Sequence, residues 1–307
     1  MLNRQRPGAL GEDGGTRPLY LVAVVLERTM ISKIGAVMRR NLRELWQYRG
    51  LLWALTTREL RARYRASVLG FLWTFLNPSL NMVVYVLVFG VLMASPVERY
   101  PFFLFCGLLP WIFFSSSVVG GTTSVSDRRD LLTKVRFPAQ VLPATVVLTN
   151  LINFLLSLPL LFLLGTLYQD LPTWHIVFLP IVLVVQTAFT LGLTYSLSAL
   201  NVAFRDLQHI VANLVQMLFF LTPVLWNLDS VGDVSRFGLD LSAQQARDLL
   251  LFCNPMAAVM AAWRDIFYLH QTPAWEPLGA VALLSLALFW VSSGVFERRR
   301  EEFAELV

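Results

Sequence analysis

Residues 51–93 read LLWALTTRELRARYRASVLGFLWTFLNPSLNMVVYVLVFGVLM. The stretch divides at Gly70. Before it, Arg58, Arg61, Arg63 and Arg65 follow one another on a helix-forming segment. After it, the chain runs to Met93 without an Asp, Glu, Lys or Arg. A helix rises about 1.5 Å per residue, so about 20 apolar residues cross roughly 30 Å of hydrocarbon. The second half therefore reads as a membrane-spanning helix. In the first half, Leu51, Leu55, Ala62, Ala66 and Leu69 share one face at 100° per residue, with Arg58, Arg61 and Arg65 on the adjacent flank. That pattern predicts a basic amphipathic helix lying at the membrane surface.

Five more charge-free stretches of spanning length follow, at 101–122, 141–168, 175–204, 207–228 and 277–296. Of the 307 residues, 56% are hydrophobic and 15% charged, where soluble domains carry about 25% charged residues. Mean hydropathy is +0.60. These values exclude a disordered or fibrous chain, and too few charges remain to coat a soluble globule. A further apolar run, 249–263, is broken at Asn254-Pro255 and is too short to cross, so it is expected to re-enter the membrane. The run at 19–26 is shorter still and reads as a tail or surface segment, not a signal peptide.

Charge fixes the expected orientation. With residues 1–69, the 123–140 loop, the 204–207 turn and the C-terminus on one side, that side holds 21 of the 25 basic residues and 12 of the 20 acids. Only Arg99, Arg236, Arg247 and Arg264 lie opposite. The positive-inside rule places the basic side in the cytoplasm. The fold class is thus an all-α integral membrane protein with six transmembrane helices and both termini cytoplasmic. The basic excess is juxtamembrane, which accounts for it without nucleic acid.

The spans carry amides but no titratable carboxylate or amine: Asn77, Asn81, Asn150, Asn153, Gln186, Asn213 and Gln216. A proton- or sodium-coupled carrier usually keeps an ionisable relay inside the membrane. There is also no G-x-x-x-x-G-K-[ST] phosphate loop. Uphill transport by this chain therefore needs energy from another polypeptide. Cys106 and Cys253 form no Cys-x-x-Cys pair, and His175, His209 and His270 are scattered, so no metal or catalytic set is expected.

Three further segments carry residues suited to function. The 124–143 loop, SVSDRRDLLTKVRFPAQVLP, starts with helix-capping Ser126 or Asp127 and stops at Pro138. A short helix there presents Arg128, Arg129, Lys134 and Arg136 beside Leu131, Leu132 and Val135, a composition fit for docking. Arg205 and Asp206 form a second charged turn on the same side. The first two spans are dense in rings, and Trp73, Phe75, Tyr85, Trp111, Phe113 and Phe114, with Ser115, are candidates to line a polar path. Flat rings stack on sugar faces, and arginines donate paired hydrogen bonds to pyrophosphate.

Together, TRELRARYRASVLGFLWTFLNPSLNMVVY (57–85), GLLPWIFFSSSVVGG (107–121), LLTKVRFPAQVLP (131–143), NVAFRDLQHIVANLVQMLFFLTPVLW (201–226) and NPMAAVMAAWRDIFY (254–268) resemble the permease subunit of type-2 ABC exporters of polysaccharides, those for O-antigen, capsule and teichoic acid above all. The resemblance covers about residues 40–296 in the family's order. It implies a homodimer in the bacterial inner membrane, working with two copies of a separate ATPase that binds ATP and Mg, and a channel that extrudes a lipid-pyrophosphate-linked glycan. Region 41–69 corresponds to the interface helix, with Arg58, Arg61, Arg63 and Arg65 toward head groups. Within the 70–296 transmembrane domain, loop 123–140 corresponds to the coupling helix on the ATPase. Region 222–276 corresponds to short re-entrant gate helices between spans five and six, with Pro223, Trp226, Asn254, Pro255, Trp263 and Arg264 as gate residues. Residues 297–307 form a cytoplasmic tail. Residues 1–40 are an extension beyond the pattern, which leaves Met30 open as a start.

Alternatives from the residues are the same architecture with a drug or lipid cargo, a passive channel, and a membrane-embedded glycosyl- or acyltransferase. The last needs clustered acids or histidines at a membrane face. Asp170 with His175, or Arg264 with Asp265, are the only candidates.

Overall fold

The computed structural model describes residues 40, 43–65, 67–128, 137–230 and 242–298, and every regular element among them is helical. Helix α1 is Arg49–Tyr64. The first span, Gly70–Leu92, consists of a 3-10 turn, helix α2 (Trp73–Tyr85) and a π-helical turn. Then come α3 (Tyr100–Thr123), α4 (Val141–Leu167), α5 (Leu179–Ala203) and α6 (Leu207–Leu221). The remainder is α7 (Ala243–Cys253), α8 (Pro255–Phe267) and α9 (Trp275–Arg298).

Five of the described helices are long and apolar enough to cross a membrane, and α7 with α8 makes a sixth apolar unit, bent by 107°. Asn254 causes the bend. Its extended backbone ends α7, and its side-chain oxygen accepts from the amides of Met256 and Ala257 at 3.1 and 3.3 Å. Pro255 then occupies the first position of α8, where its missing N–H costs nothing. The expected fifth span at 207–228 is shorter in the structure. Helix α6 stops at Leu221 because Thr222 is extended before Pro223, a residue that disfavours helical geometry in its predecessor.

Helix α3 is the hub. Its most apolar stretch is 78% buried, against 6% for the first span. Phe102, Phe103 and Phe105 are fully enclosed. The first span and α6 flank the hub and expose apolar faces, including Val83, Leu87, Leu214 and Met217. Close helix contact relies on small residues elsewhere: a Cβ on Gly192 would meet Leu288 Cβ and the Phe289 nitrogen at 3.1–3.2 Å, which lets α5 and α9 pack backbone to backbone.

Helix α1 corrects the expected amphipathic face. It packs along α4 with Leu52, Leu55, Thr56 and Glu59 turned inward, while Ala62 and Leu69 are exposed; Ala66 lies outside the described residues. Two polar side chains tolerate the inner face because each has a partner. The Thr56 hydroxyl donates to the Leu52 carbonyl at 2.8 Å, and Glu59 accepts from Arg128 at 2.8 Å. A periodicity argument counts only apolar residues and so places the stripe one residue off.

At the end of the bundle opposite α1, buried Asp170 accepts from Arg99 Nη1 at 2.6 Å and from His270 Nε2 at 2.5 Å. The partners come from three separate connections, before α3, after α4 and after α8. Arg99, Gln169 and His270 all hold positive φ, of 46°, 55° and 52°, a region costly for residues with a Cβ. The carboxylate thus holds three strained turns together. Asp170→Asn should destabilise the chain by about 1–3 kcal/mol and expose the loop around residues 168–173 to protease. Unchanged thermal unfolding and unchanged cleavage in detergent would contradict this clasp.

Candidate functional site

Pro78 removes one amide from α2 and so frees the Thr74 carbonyl, four residues earlier. Ser157 of α4 fills the gap, donating to Thr74 at 3.1 Å while also reaching the Asn153 carbonyl at 2.8 Å. This polar seam borders a cavity of about 350 Å³ between α2, α3 and α4. Asn77, Asn150, Asn153 and Ser116 contribute polar wall, and Trp73 and Phe113 contribute rings. Arg63 closes one side, its Nη1 3.5 Å from Asn150 Oδ1.

On the other flank of α2, a groove of about 420 Å³ runs between α2, α3 and α6. Its polar side chains include Asn81, Ser115, Ser116 and Gln216, and its rings include Tyr85 and Trp111. Tyr85 and Trp111 each lie 5.5 Å from Phe219, so one ring of α6 braces both. The groove and the cavity share Ile112 and Ser116 of α3. Amides and hydroxyls donate and accept hydrogen bonds without titrating, which suits an uncharged polyhydroxylated ligand.

The expected gate residues converge. Where α6 ends, residues 222–226 turn back with carbonyls that no helix satisfies. Buried Arg264 of α8 donates to Pro223, to Val224 at 2.7 Å and to Trp226 at 3.4 Å. Its guanidinium carbon sits 3.7 Å from the centre of the Phe103 ring. A Cβ on Gly107 would come within 3.0 Å of Arg264 Nη2, so glycine leaves room for the arginine against α3. Asn254 Nδ2 donates to Thr222 at 3.0 Å, and the Tyr100 hydroxyl donates to Leu225 at 2.9 Å. Trp263 donates to Gln186 at 2.9 Å, and Gln186 in turn donates to the Pro110 carbonyl at 2.9 Å, joining α8, α5 and α3.

The expected path residues divide. Trp73 and Phe113 face the cavity, and Tyr85, Trp111 and Ser115 face the groove. Phe114 lines neither. It is 1% exposed and stacks on Phe189 at 5.8 Å, a core contact between α3 and α5. Phe75 packs edge-on against Phe71 at 5.4 Å. Arg58, Arg61 and Arg65 lie with Trp53 on the outer face of α1, apart from Arg63. Asp127, Arg205 and Asp206 are exposed at the basic end, whereas Arg128 is turned to Glu59; Arg129, Leu131, Leu132, Lys134 and Arg136 lie outside the described residues.

The candidate catalytic pairs do not form. His175 contacts Thr173 at 2.7 Å, not Asp170, and Asp265 accepts from Gln271 at 2.7 Å, not from Arg264. The Asp170 cluster escaped the sequence reading. Its one signal was that Arg99 and Asp170 stand at adjoining span ends among very few charges on that side.

The model of the family "ABC-2 type transporter" matches residues 50–242. The chain is 58% identical over 270 residues to the O-antigen export system permease protein RfbA of Myxococcus xanthus, covering 88% of this chain and 100% of that protein. It is 28% identical to a protein of the same name from Klebsiella pneumoniae, covering 88% and 98%. It is 22% identical to the polysialic acid transport protein KpsM of Escherichia coli, covering 81% and 93%.

Arg264→Met should leave the carbonyls of Pro223 and Val224 unpaired, at about 1–3 kcal/mol each, and lower the unfolding temperature in detergent. Arg264→Lys keeps the charge but not the planar fork or the stacking, and should fall between. Gly107→Ala should resemble Arg264→Lys. Wild-type stability in all three would show that the arginine does not hold the turn.

Proposed function

The chain belongs to the ABC-2 type transporter family, and from that premise we propose that it is the permease half of an ATP-driven exporter of a lipid-pyrophosphate-linked polysaccharide across the bacterial inner membrane. The observation that carries the reading is the groove between α2, α3 and α6, where amides and serine hydroxyls face aromatic rings with no acidic or basic side chain in its lining. Rings present apolar faces to sugars, and amides meet hydroxyls without selecting one sugar stereochemistry. A long, chemically repetitive chain needs that kind of wall. The similar proteins are named for O-antigen export and polysialic acid transport, which favours a polysaccharide over a drug or lipid cargo.

The proposed orientation sets the basic end, with α1 and the 123–140 loop, in the cytoplasm, in line with the charge asymmetry. The bent α7–α8 pair then forms a re-entrant gate at the outer end. Two chains pair beside the groove through the exposed apolar face of α6, leaving the outer face of the first span to lipid. The 123–140 loop, with Arg205 and Asp206 beside it in charge and sidedness, docks one ATPase per protomer. ATP and Mg belong to that partner, since this chain has no phosphate-binding loop of its own.

Tyr85→Ala and Trp111→Ala should each reduce surface polysaccharide about two- to tenfold at equal membrane abundance, the effect of losing one ring contact of about 0.5–1.5 kcal/mol. Wild-type surface polysaccharide in both would remove the groove from the path. The triple variant Arg128→Glu, Arg129→Glu, Arg136→Glu should insert normally yet fail to co-purify the ATPase. Recovery of the ATPase at wild-type yield would refute docking at this loop.

A further inference from the structure

We propose that the cavity between α2, α3 and α4 binds the headgroup of a hydroxyl-bearing lipid phosphate, one per protomer. Its size comes first. At about 350 Å³ it stands at the small end of ligand pockets, which run about 300–1,000 Å³. That admits a sugar ring or a glycerol phosphate, and what sets the cavity apart from the groove across α2 is its charged side chain, Arg63.

The lining selects the chemistry. Arg63 is the one charged side chain on the cavity wall, and no carboxylate lines it among the described residues. A guanidinium at the mouth favours a phosphate oxygen, to which it donates paired, charge-assisted hydrogen bonds. Behind it, Asn150, Asn153 and Ser116 offer donors and acceptors together, the complement of hydroxyl groups. Trp73 supplies a flat face.

The surroundings select an amphiphile over a soluble phosphate. The connection from α1 to α2 forms an apolar lip at the mouth: Val68, Phe71 and Leu72 are exposed, and Trp73 belongs to both lip and cavity. The exposed face of α2 continues from it through Leu80 and Val84. A headgroup seated beside Arg63 therefore places its hydrocarbon chain on apolar surface already open to the bilayer. Two lipids share this chemistry, a polyprenyl pyrophosphate sugar and a glycerophospholipid such as phosphatidylglycerol. The first identification rests on the export reading above; the second does not.

The test is native mass spectrometry of the full chain purified in detergent, titrated separately with a polyprenyl pyrophosphate N-acetylhexosamine, phosphatidylglycerol and phosphatidylcholine. The wild-type chain should retain one anionic lipid more tightly than phosphatidylcholine. Arg63→Met and Asn153→Leu should each weaken that binding about tenfold, the loss of one strong polar contact. Arg63→Lys should recover part of it, and Arg49→Met, which removes an equal charge outside the cavity, should change nothing. Preference for the sugar lipid assigns the site to the cargo's headgroup; preference for phosphatidylglycerol assigns it to a membrane lipid. Equal retention of all three lipids, or wild-type binding by both Arg63→Met and Asn153→Leu, overturns the site. Failure of the export reading is seen separately, as surface polysaccharide that persists when the chain is deleted.

Discussion

The grip of Arg264 on the turn at 222–226 is the constraint from which the half of the bundle opposite α1 follows. In an apolar medium a helix cannot end without something taking up its last carbonyls. Helix α6 ends early, at Leu221, and the carbonyls of the turn are met by side chains from elsewhere, Arg264 of the bent α7–α8 pair and Tyr100 of the hub, while Asn254 holds the Thr222 hydroxyl. A buried guanidinium is itself expensive to desolvate. Here several carbonyls and the Phe103 ring replace its water, with no carboxylate among the partners these contacts give it. Neither partner is stable without the other: the turn needs donors and the charge needs acceptors. The end of α6 is therefore bound to the bent pair and to α3.

Polar side chains inside the bundle fall into two groups with different consequences. Gln186 is committed at both ends of its amide, accepting from Trp263 and donating to Pro110. Ser157 repairs the carbonyl released by Pro78. These hold helices in register and leave little for a ligand. Asn81, Gln216 and Ser115 instead line open space next to rings. The distinction matters because a sequence shows only that amides lie in apolar segments. Which of them are struts and which are lining depends on helix rotation, and the proline positions decide some of it by creating carbonyls that must be served.

The spans were legible because hydrocarbon thickness and the absence of charge are one-dimensional properties. The bend at Asn254-Pro255 was legible for a similar reason, since an Asn cap followed by proline at the first helical position is a local device. Rotation was not legible. Phe114 and Phe113 are neighbours of the same type, yet one stacks in the core and the other borders a cavity. Helix α1 failed in the same way: Thr56 faces inward because its hydroxyl bonds back to the Leu52 carbonyl, and Glu59 because Arg128, far away in sequence, satisfies it, neither of which a pattern of apolar residues encodes. The length of α6 depended on one extended residue ahead of Pro223, a signal present in the sequence but masked by the apolar run that continues to Leu228.

At the basic end the same logic ties the proposed docking loop to both walls of the groove. Arg128 at the loop's start is paired with Glu59 of α1, 2.8 Å away, and both side chains are only about a quarter exposed. Ser126 accepts from Asn201 of α5 at 3.2 Å, and buried Asn201 accepts from the amide of Gln208 at the start of α6 at 3.1 Å. One branch leads through α1 to the first span, the other to α6. Those two elements are the flanks of the groove and expose more apolar surface than the hub between them. A displacement at residues 126–128 thus has two short, polar, directional connections to the walls. Its link to the hub is local: residues 124–128 continue α3, and the Ser126 hydroxyl donates to the Thr123 carbonyl at 2.9 Å. The far end of α6 is held by the turn that Arg264 grips, so Gln208 and that turn are polar anchors at the helix's two ends, with the groove residues Gln216 and Phe219 between them.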